Sequence, residues 1–515
     1  MPSHPSLYSH GNHIHHTKHH QDDDTSTTIT MASTTSKTKR PFISIQSTTL
    51  FCVLLFIIPA QLLLRTPPAS IYSTISSTTI TSFSGDLRSA EFSWNHLSFS
   101  FHIPPPVPLK IAVFTRKWPV GTIPGGMERH AYTLYTALAT RGHEIHIFTS
   151  PPNKDVSLIN NKRKDENTLV IHFHEGAEPG KWRYNKAFEQ YMEENKVRPF
   201  DVVHTESVSL PHYKALEIPN LAVSWHGIAL ESVSSSIYQD LIRSPKEPMT
   251  QSFNESLQVM IPKVLNEIRF FKNYQHHIAT SDSCGEMLRD VYQIPSKRVH
   301  VIVNGVDEDD FCEDPELGKN FRSKIGVPHG SLLLGVAGRL VKDKGHPILY
   351  EAFAKLIKNH TNTNVYLVVA GAGPWQNRYM ELGAQVKVVG SMNRTELRGF
   401  YNGIDIFVNP TLRLHGFDQV PLEAMMGGKP VMASRFPSIK GTLLVDEEFG
   451  FMFSPNVESL LEALEIVVAE GPGRLAQRGK ACRRYVTSMF TARKMALAYE
   501  RLFLCIKNEM FCIYP

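Results

Sequence analysis

The stretch from Thr411 to Val431 reads TLRLHGFDQVPLEAMMGGKPV. Its first half is a loop rich in turn residues. Its second half is an apolar helical run that carries one carboxylate, Glu423, near its start and ends beside Gly427-Gly428. A strand, loop and helix corner of this kind turns backbone N–H groups and one acceptor side chain into a crevice, which suits a ligand carrying both phosphates and sugar hydroxyls. A plainer role is also open to Glu423, because a carboxylate in a first helical turn complements its own helix dipole.

Outward from that corner, the chain from Leu109 onward alternates short β-branched runs with helical periods, the pattern of a parallel sheet covered on both faces. The runs predict a first series of strands at 110–114, 144–149, 169–173, 202–205, 222–225, 277–280 and 299–303. A second series is predicted at 332–336, 365–370, 386–389, 404–408, 430–433 and 442–445. Two series predict two doubly wound lobes, with a ligand crevice where their strand C-termini face each other. The stretch 490–503, FTARKMALAYERLF, predicts an amphipathic helix after the last lobe.

Three further segments bear on chemistry. Pro124-Gly125-Gly126-Met127-Glu128 follows the first strand and opens a helix. Paired glycines there let a phosphate approach the helix N-terminus, although a plain tight turn uses the same residues. Gly338-Arg339-Leu340-Val341-Lys342-Asp343-Lys344-Gly345 follows the first strand of the second series. Its two cations can converge on a diphosphate, Arg339 as a planar fork and Lys344 as a point charge, or stand as solvated surface charges. His226, in Ser224-Trp225-His226-Gly227, ends a predicted strand, where it either faces the crevice or serves the structure alone.

These motifs resemble, in order, those of the retaining GT-B glycosyltransferases of family four. Gly416, Phe417, Pro421, Glu423, Ala424, Met425, Gly428, Pro430 and Val431 match the family's E-x7-E segment, while His415 stands where the first Glu is expected and Asp418 where a Gly is usual. Residues 338–345 match the GRL-x-x-x-KG motif, Gly125-Gly126 with Glu128 the GG-x-E loop, His226 the H-D or H-G position, and Asn304-Gly305-Val306-Asp307 the NGVD turn near the hinge between lobes. The resemblance implies transfer of a sugar from a nucleoside diphosphate donor to a hydroxyl acceptor, with retention and with neither metal nor cofactor. His226, Arg339 and Lys344 would carry catalysis. Gly125, Gly126, Arg339, Lys344, His415, Gly416, Phe417 and Glu423 would bind the donor, Glu423 through the ribose hydroxyls. An imidazole at 415 can hydrogen-bond a hydroxyl or, protonated, a phosphate, but supplies no fixed negative charge. The two departures therefore leave a weakened, ligand-binding homologue as the alternative.

The rest of the chain sets this head in a wider plan. The net charge of +5 over 515 residues, with Lys and Arg scattered, makes no case for nucleic acid. Residues 1–40 read as a polar, His-rich cytosolic tail, with Met31 as a second possible start, and 41–65 as a transmembrane signal anchor. Within the anchor, 43–64 carries no charge, and Lys37, Lys39 and Arg40 before it predict a type II orientation in the Golgi or endoplasmic reticulum membrane. A cleaved signal peptide is the competing reading of this run. Residues 66–108, rich in Ser, Thr and Pro, read as a luminal stem. The lobes are then expected at 109–300 and 301–480, with a C-terminal crossing helix and tail at 481–515. Sequons at Asn254, Asn359 and Asn393 agree with a luminal glycoprotein, whereas a soluble cytosolic enzyme of sugar metabolism lacks a reason for the anchor. The cysteines show no zinc-type spacing, and Cys505 is free to pair with Cys512, or either of them with Cys482.

Overall fold

The computed structural model describes residues 83–91, 93–119, 125–152, 169–174, 180–242, 251–359, 364–414 and 417–514. The tail and the anchor therefore lie outside the described residues, as do Pro124, His415 and Gly416. Among the described residues no helix is long and apolar enough to cross a membrane.

Two all-parallel sheets form the head. The first contains β1 Lys110–Phe114, β2 Glu144–Thr149, β3 Leu169–Phe173, β4 Val202–Glu206, β5 Leu221–Trp225, β6 His276–Ala279 and β7 Val299–Val301, in the order β3-β2-β1-β4-β5-β6-β7. The second contains β8 Leu332–Ala337, β9 Val365–Ala370, β10 Val386–Gly390, β11 Ile406–Asn409, β12 Val431–Ser434 and β13 Gly450–Phe453, in the order β10-β9-β8-β11-β12-β13. The central strands β1, β4 and β5 are buried along their whole length, as a sheet covered on both faces requires. In each sheet the order reverses beside the first strand, at β1/β4 and at β8/β11. Loops leaving those strands are parted there, and ligands of open α/β sheets bind in that gap.

The strand predicted at 442–445 is a correction, because the last strand of the sheet is β13, eight residues later. Leu443 and Leu444 are buried, but both of their N–H groups donate to Ile439 O, so the apolar run closes a turn instead of joining the ladder. Burial without a partner strand looks the same in sequence as burial within one.

The stretch expected to be an extended stem is described from Phe83, and from there to 108 it packs on the head. Trp94 and Leu97 are fully buried. Asn95 accepts from Val303 N at 3.0 Å and donates to Val303 O at 3.3 Å and Met489 O at 3.2 Å, pinning this strap where the chain passes between lobes. The crossing helix, Ala492–Lys507, lies back on the first lobe. Its Glu500 accepts from Arg141 and bonds His143 Nε2 at 2.9 Å. Cys505 is bonded to Cys512, and Cys482 is a buried free thiol.

Candidate functional site

A crevice of about 690 Å³ opens between the two switch points. The first lobe contributes Gly125, Gly126, Glu128, Arg129 and His226, and the second contributes Arg339, Lys344, Arg413, Phe417 and Asp418. Gly125 caps the helix Gly126–Thr140, so this helix N-terminus faces the crevice from the end of β1. On the opposite wall, Lys344 ends a short turn closed by Gly345, whose φ is +75°. A Cβ at Gly345 would lie 1.7 Å from Pro410 O. Only glycine therefore lets the lysine turn settle against the end of β11.

The cations of this wall are mostly engaged. Lys344 Nζ reaches both carboxylate oxygens of Asp418 at 2.7 Å. Burial would raise the Asp418 pKa, but Lys344 and Arg413 beside it hold it below the usual carboxylate value. Arg413 Nε lies 3.2 Å from Glu231 Oε1 of the first lobe. Arg339 is 69% exposed and has Asp343 at 3.9 Å, leaving its guanidinium largely open to solvent.

Glu423 is buried in the helix Gln419–Met426 and is doubly held. Tyr401 donates to Oε2 at 2.6 Å, and Arg129 of the first lobe meets Oε1 at 2.8 Å. Burial acts to lower the Arg129 pKa, but the Glu423 carboxylate outweighs it and keeps the value raised. A second cavity, of about 350 Å³, is lined by Glu423 and adjoins at this point, sharing Arg129, Met392, Leu397 and Gln419 with the crevice. Beyond Glu423 its walls include Phe311, Tyr132 and Val306 on the apolar side and Asp307 and Arg394 on the polar side.

His226 is held from behind. Its Nε2 lies 2.5 Å from Glu206 Oε2, and Tyr135 donates to Glu206 Oε1 at 2.5 Å. The same tyrosine bonds His204 Nδ1 at 2.6 Å, His204 Nε2 meets Ser224 Oγ at 2.9 Å, and Ser224 meets Tyr499 of the crossing helix at 2.8 Å. Glu206 is fully buried, which would raise its pKa, yet the His226 ring opposite keeps it below the usual value. An ionised carboxylate only accepts, so His226 Nε2 carries the hydrogen of this pair. Burial drives the neighbouring His130 down to about 3 and His204 to about 4, so both are neutral.

Of the residues singled out in the sequence, Gly125, Gly126, His226, Arg339, Lys344 and Phe417 line one crevice, and Glu423 lines the cavity that adjoins it. Phe417 takes part mainly as a wedge, its ring buried and its carbonyl accepting from Asn304 Nδ2 at 3.0 Å. The NGVD turn is architectural, with Val306 N donating to Phe490 O at 2.9 Å where the chain crosses between lobes. Asn393 is the N-cap of a capping box with Glu396, so its sequon coincides with a helix start. Sequence reasoning missed Arg129, Glu206 and Arg413. Arg129 lay one residue past the GG-x-E loop and Glu206 one residue past the strand predicted at 202–205, a placement that marks crevice residues in such folds.

Two parallel, doubly wound lobes with a crevice across both switch points make up the GT-B class of architecture. Within that class, the family model "Glycosyltransferase Family 4" matches residues 124–310 and "Glycosyl transferases group 1" matches 319–484, and the chain belongs to this group of glycosyltransferases. An uncharacterised glycosyltransferase of Methanocaldococcus jannaschii is 24% identical over 70% of this chain and 90% of its own length. An alpha-monoglucosyldiacylglycerol synthase of Streptococcus pneumoniae is 24% identical over 67% of this chain and 75% of its own length. Among solved structures, a sucrose-phosphate synthase of Thermosynechococcus elongatus superposes with a TM-score of 0.59 at 18% identity, covering 77% of this chain and 98% of that one. An Anabaena protein solved in complex with UDP-glucose gives 0.54 at 17% identity, over 76% and 99%. At these identities the structural likeness establishes the fold.

Proposed function

We propose that this glycosyltransferase moves a sugar from a nucleoside diphosphate donor to a hydroxyl acceptor with retention of anomeric configuration and without a metal. The observation that carries the reading is the convergence of Arg339, Lys344 and the Gly125-Gly126 helix N-terminus on one crevice, with Glu423 lining the cavity that adjoins it. A donor laid along this path places its base in that cavity, its ribose at Glu423 and its diphosphate between the two cations. Charge that develops on the leaving diphosphate is then met by preorganised donors. His226 faces the sugar, its ring fixed by Glu206.

Retention follows if the leaving diphosphate takes the acceptor proton on the face it departs from. Supporting this, Asp418 of the crevice and Glu423 of the adjoining cavity are each paired with a cation, so neither is poised as a nucleophile, and Glu128 is the further carboxylate of the crevice lining. The reading is tested by offering the purified head a panel of nucleotide sugars and following release of nucleoside diphosphate, with the product anomer assigned by NMR. Release from at least one donor with retained configuration is expected, and inversion would remove the same-face mechanism. Because Asp418 occupies Lys344, a second reading is a homologue that binds donor without turning it over; binding without release would select it.

The charge pattern around 43–64 supports a single-pass anchor with the head in the Golgi or endoplasmic reticulum lumen. The Cys505–Cys512 disulfide fits an oxidising compartment. Protection of the head from protease in sealed microsomes is the expected result, and its digestion without detergent would reverse the topology.

A further inference from the structure

Asp418 stands directly before the helix Gln419–Met426, where an aspartate ordinarily caps the first turn, yet its side chain makes no cap hydrogen bond. Instead both of its oxygens lie on Lys344 Nζ. The pair is only about one-fifth exposed, 18% for the lysine and 20% for the aspartate, and both residues line the crevice. Two negatively charged oxygens on one ammonium are what a phosphate would present there. We infer that Asp418 is an internal competitor for the donor's diphosphate, so that donor binding is an exchange in which Lys344 leaves Asp418 for the ligand. The inference rests on the proposed donor reading and adds to it a residue that sets affinity at the same site.

Asp418 opposes a diphosphate in two ways. It neutralises the cation the ligand needs, and once displaced it remains a like charge beside the phosphates. Nearby cations do little to relieve this, since Arg413 is paired with Glu231 and Arg339 lies at the solvent edge. Removing the carboxylate should therefore tighten diphosphate binding, the opposite of what loss of a ligand contact does. A nucleoside without phosphates should not sense the change.

The test is calorimetric titration of wild type, Asp418→Asn and Asp418→Gly with UDP, ADP and GDP and with the matching nucleosides. The expected result is a diphosphate bound about tenfold tighter or more by both variants, with nucleoside affinity changed less than about twofold. Asp418→Gly guards against a folding defect in the asparagine variant, and thermal melts check both. Equal or weaker diphosphate binding by folded variants, alongside measurable binding by wild type, overturns the inference and leaves the donor reading standing. Binding of no nucleotide by any of the three proteins overturns the donor reading, and the exchange with it.

Discussion

The two walls of the crevice hold their charges in different ways. On the first-lobe wall, Glu206 is sealed in a network that runs through Tyr135, His204 and Ser224 to Tyr499 of the crossing helix, with hydrogen bonds of 2.5 to 2.9 Å. On the second-lobe wall, Arg339 is exposed, Lys344 and Asp418 form a pair about one-fifth exposed to the crevice, and the buried Glu423 is shared with an arginine from the other lobe. A buried network that ties a sheet to a helix packed on it is costly to open, because each member would be left without a partner in low dielectric. A single ion pair that opens onto a crevice, as Lys344 with Asp418 does, is traded for an incoming anion at less cost than such a network. The first wall thus reads as a fixed support for His226, and the second as the place of the exchangeable grips Arg339 and Lys344.

The largest expected effect is on the fixed wall. Glu206→Ala removes the carboxylate that accepts from the Tyr135 hydroxyl and His226 Nε2, and each buried donor left short of its acceptor costs about 1–3 kcal/mol. Urea denaturation should show that loss, whereas Lys344→Ala should move the midpoint far less. Similar losses for the two variants would erase the distinction between the walls.

Next in size is the loss of chemistry on the exchangeable wall. Arg339→Ala and Lys344→Ala should each lower turnover by about a hundredfold or more with the fold intact, the scale for removing a preorganised charge at a leaving group. Near wild-type rates in either variant would move the diphosphate site elsewhere.

Smaller and more gradual is the response to pH. Burial holds His130 and His277 at about 3 and His204 and His276 at about 4, all in the first lobe. These folded values lie below the unfolded value of 6.5, so the stability they confer is complete above pH 6.5. It is lost as pH falls toward 4, because the unfolded chain takes up protons that the folded one refuses. Each such histidine contributes up to about 1.4 kcal/mol per pH unit in that window. The lowered pKa of Glu206 adds a further loss only below its unfolded value of 4.5. Urea midpoints between pH 8 and 5 should decline below 6.5, and a flat profile would show that these imidazoles take up protons in place.

The strands were legible because β-branched runs bounded by turn residues leave few alternatives, and the observed ranges depart from the predicted ones mainly at their ends. The run at 442–445 misled because Leu443 and Leu444 are as buried as strand residues while bonded to Ile439 as a turn. Both halves of the site were legible wherever a loop motif follows a strand. Their partners were not, because Arg129 and Glu423 are far apart in sequence and meet only when the lobes face each other. The strap around Trp94 and Asn95 was hidden by its Ser-rich surroundings, although Trp94, Leu97 and Phe99 are closely spaced enough to suggest a packed segment.

That the second lobe reads the ribose of a nucleoside diphosphate through Glu423 is open to direct measurement. The best-binding nucleoside diphosphate and its 2′,3′-dideoxy analogue are titrated into wild type and Glu423→Gln. Wild type should prefer the ribose form by about tenfold or more, from the hydrogen bonds of a charged acceptor, and the preference should collapse in the variant. Equal affinity for the two ligands in wild type, or a preference that survives in Glu423→Gln, would contradict the placement of the donor.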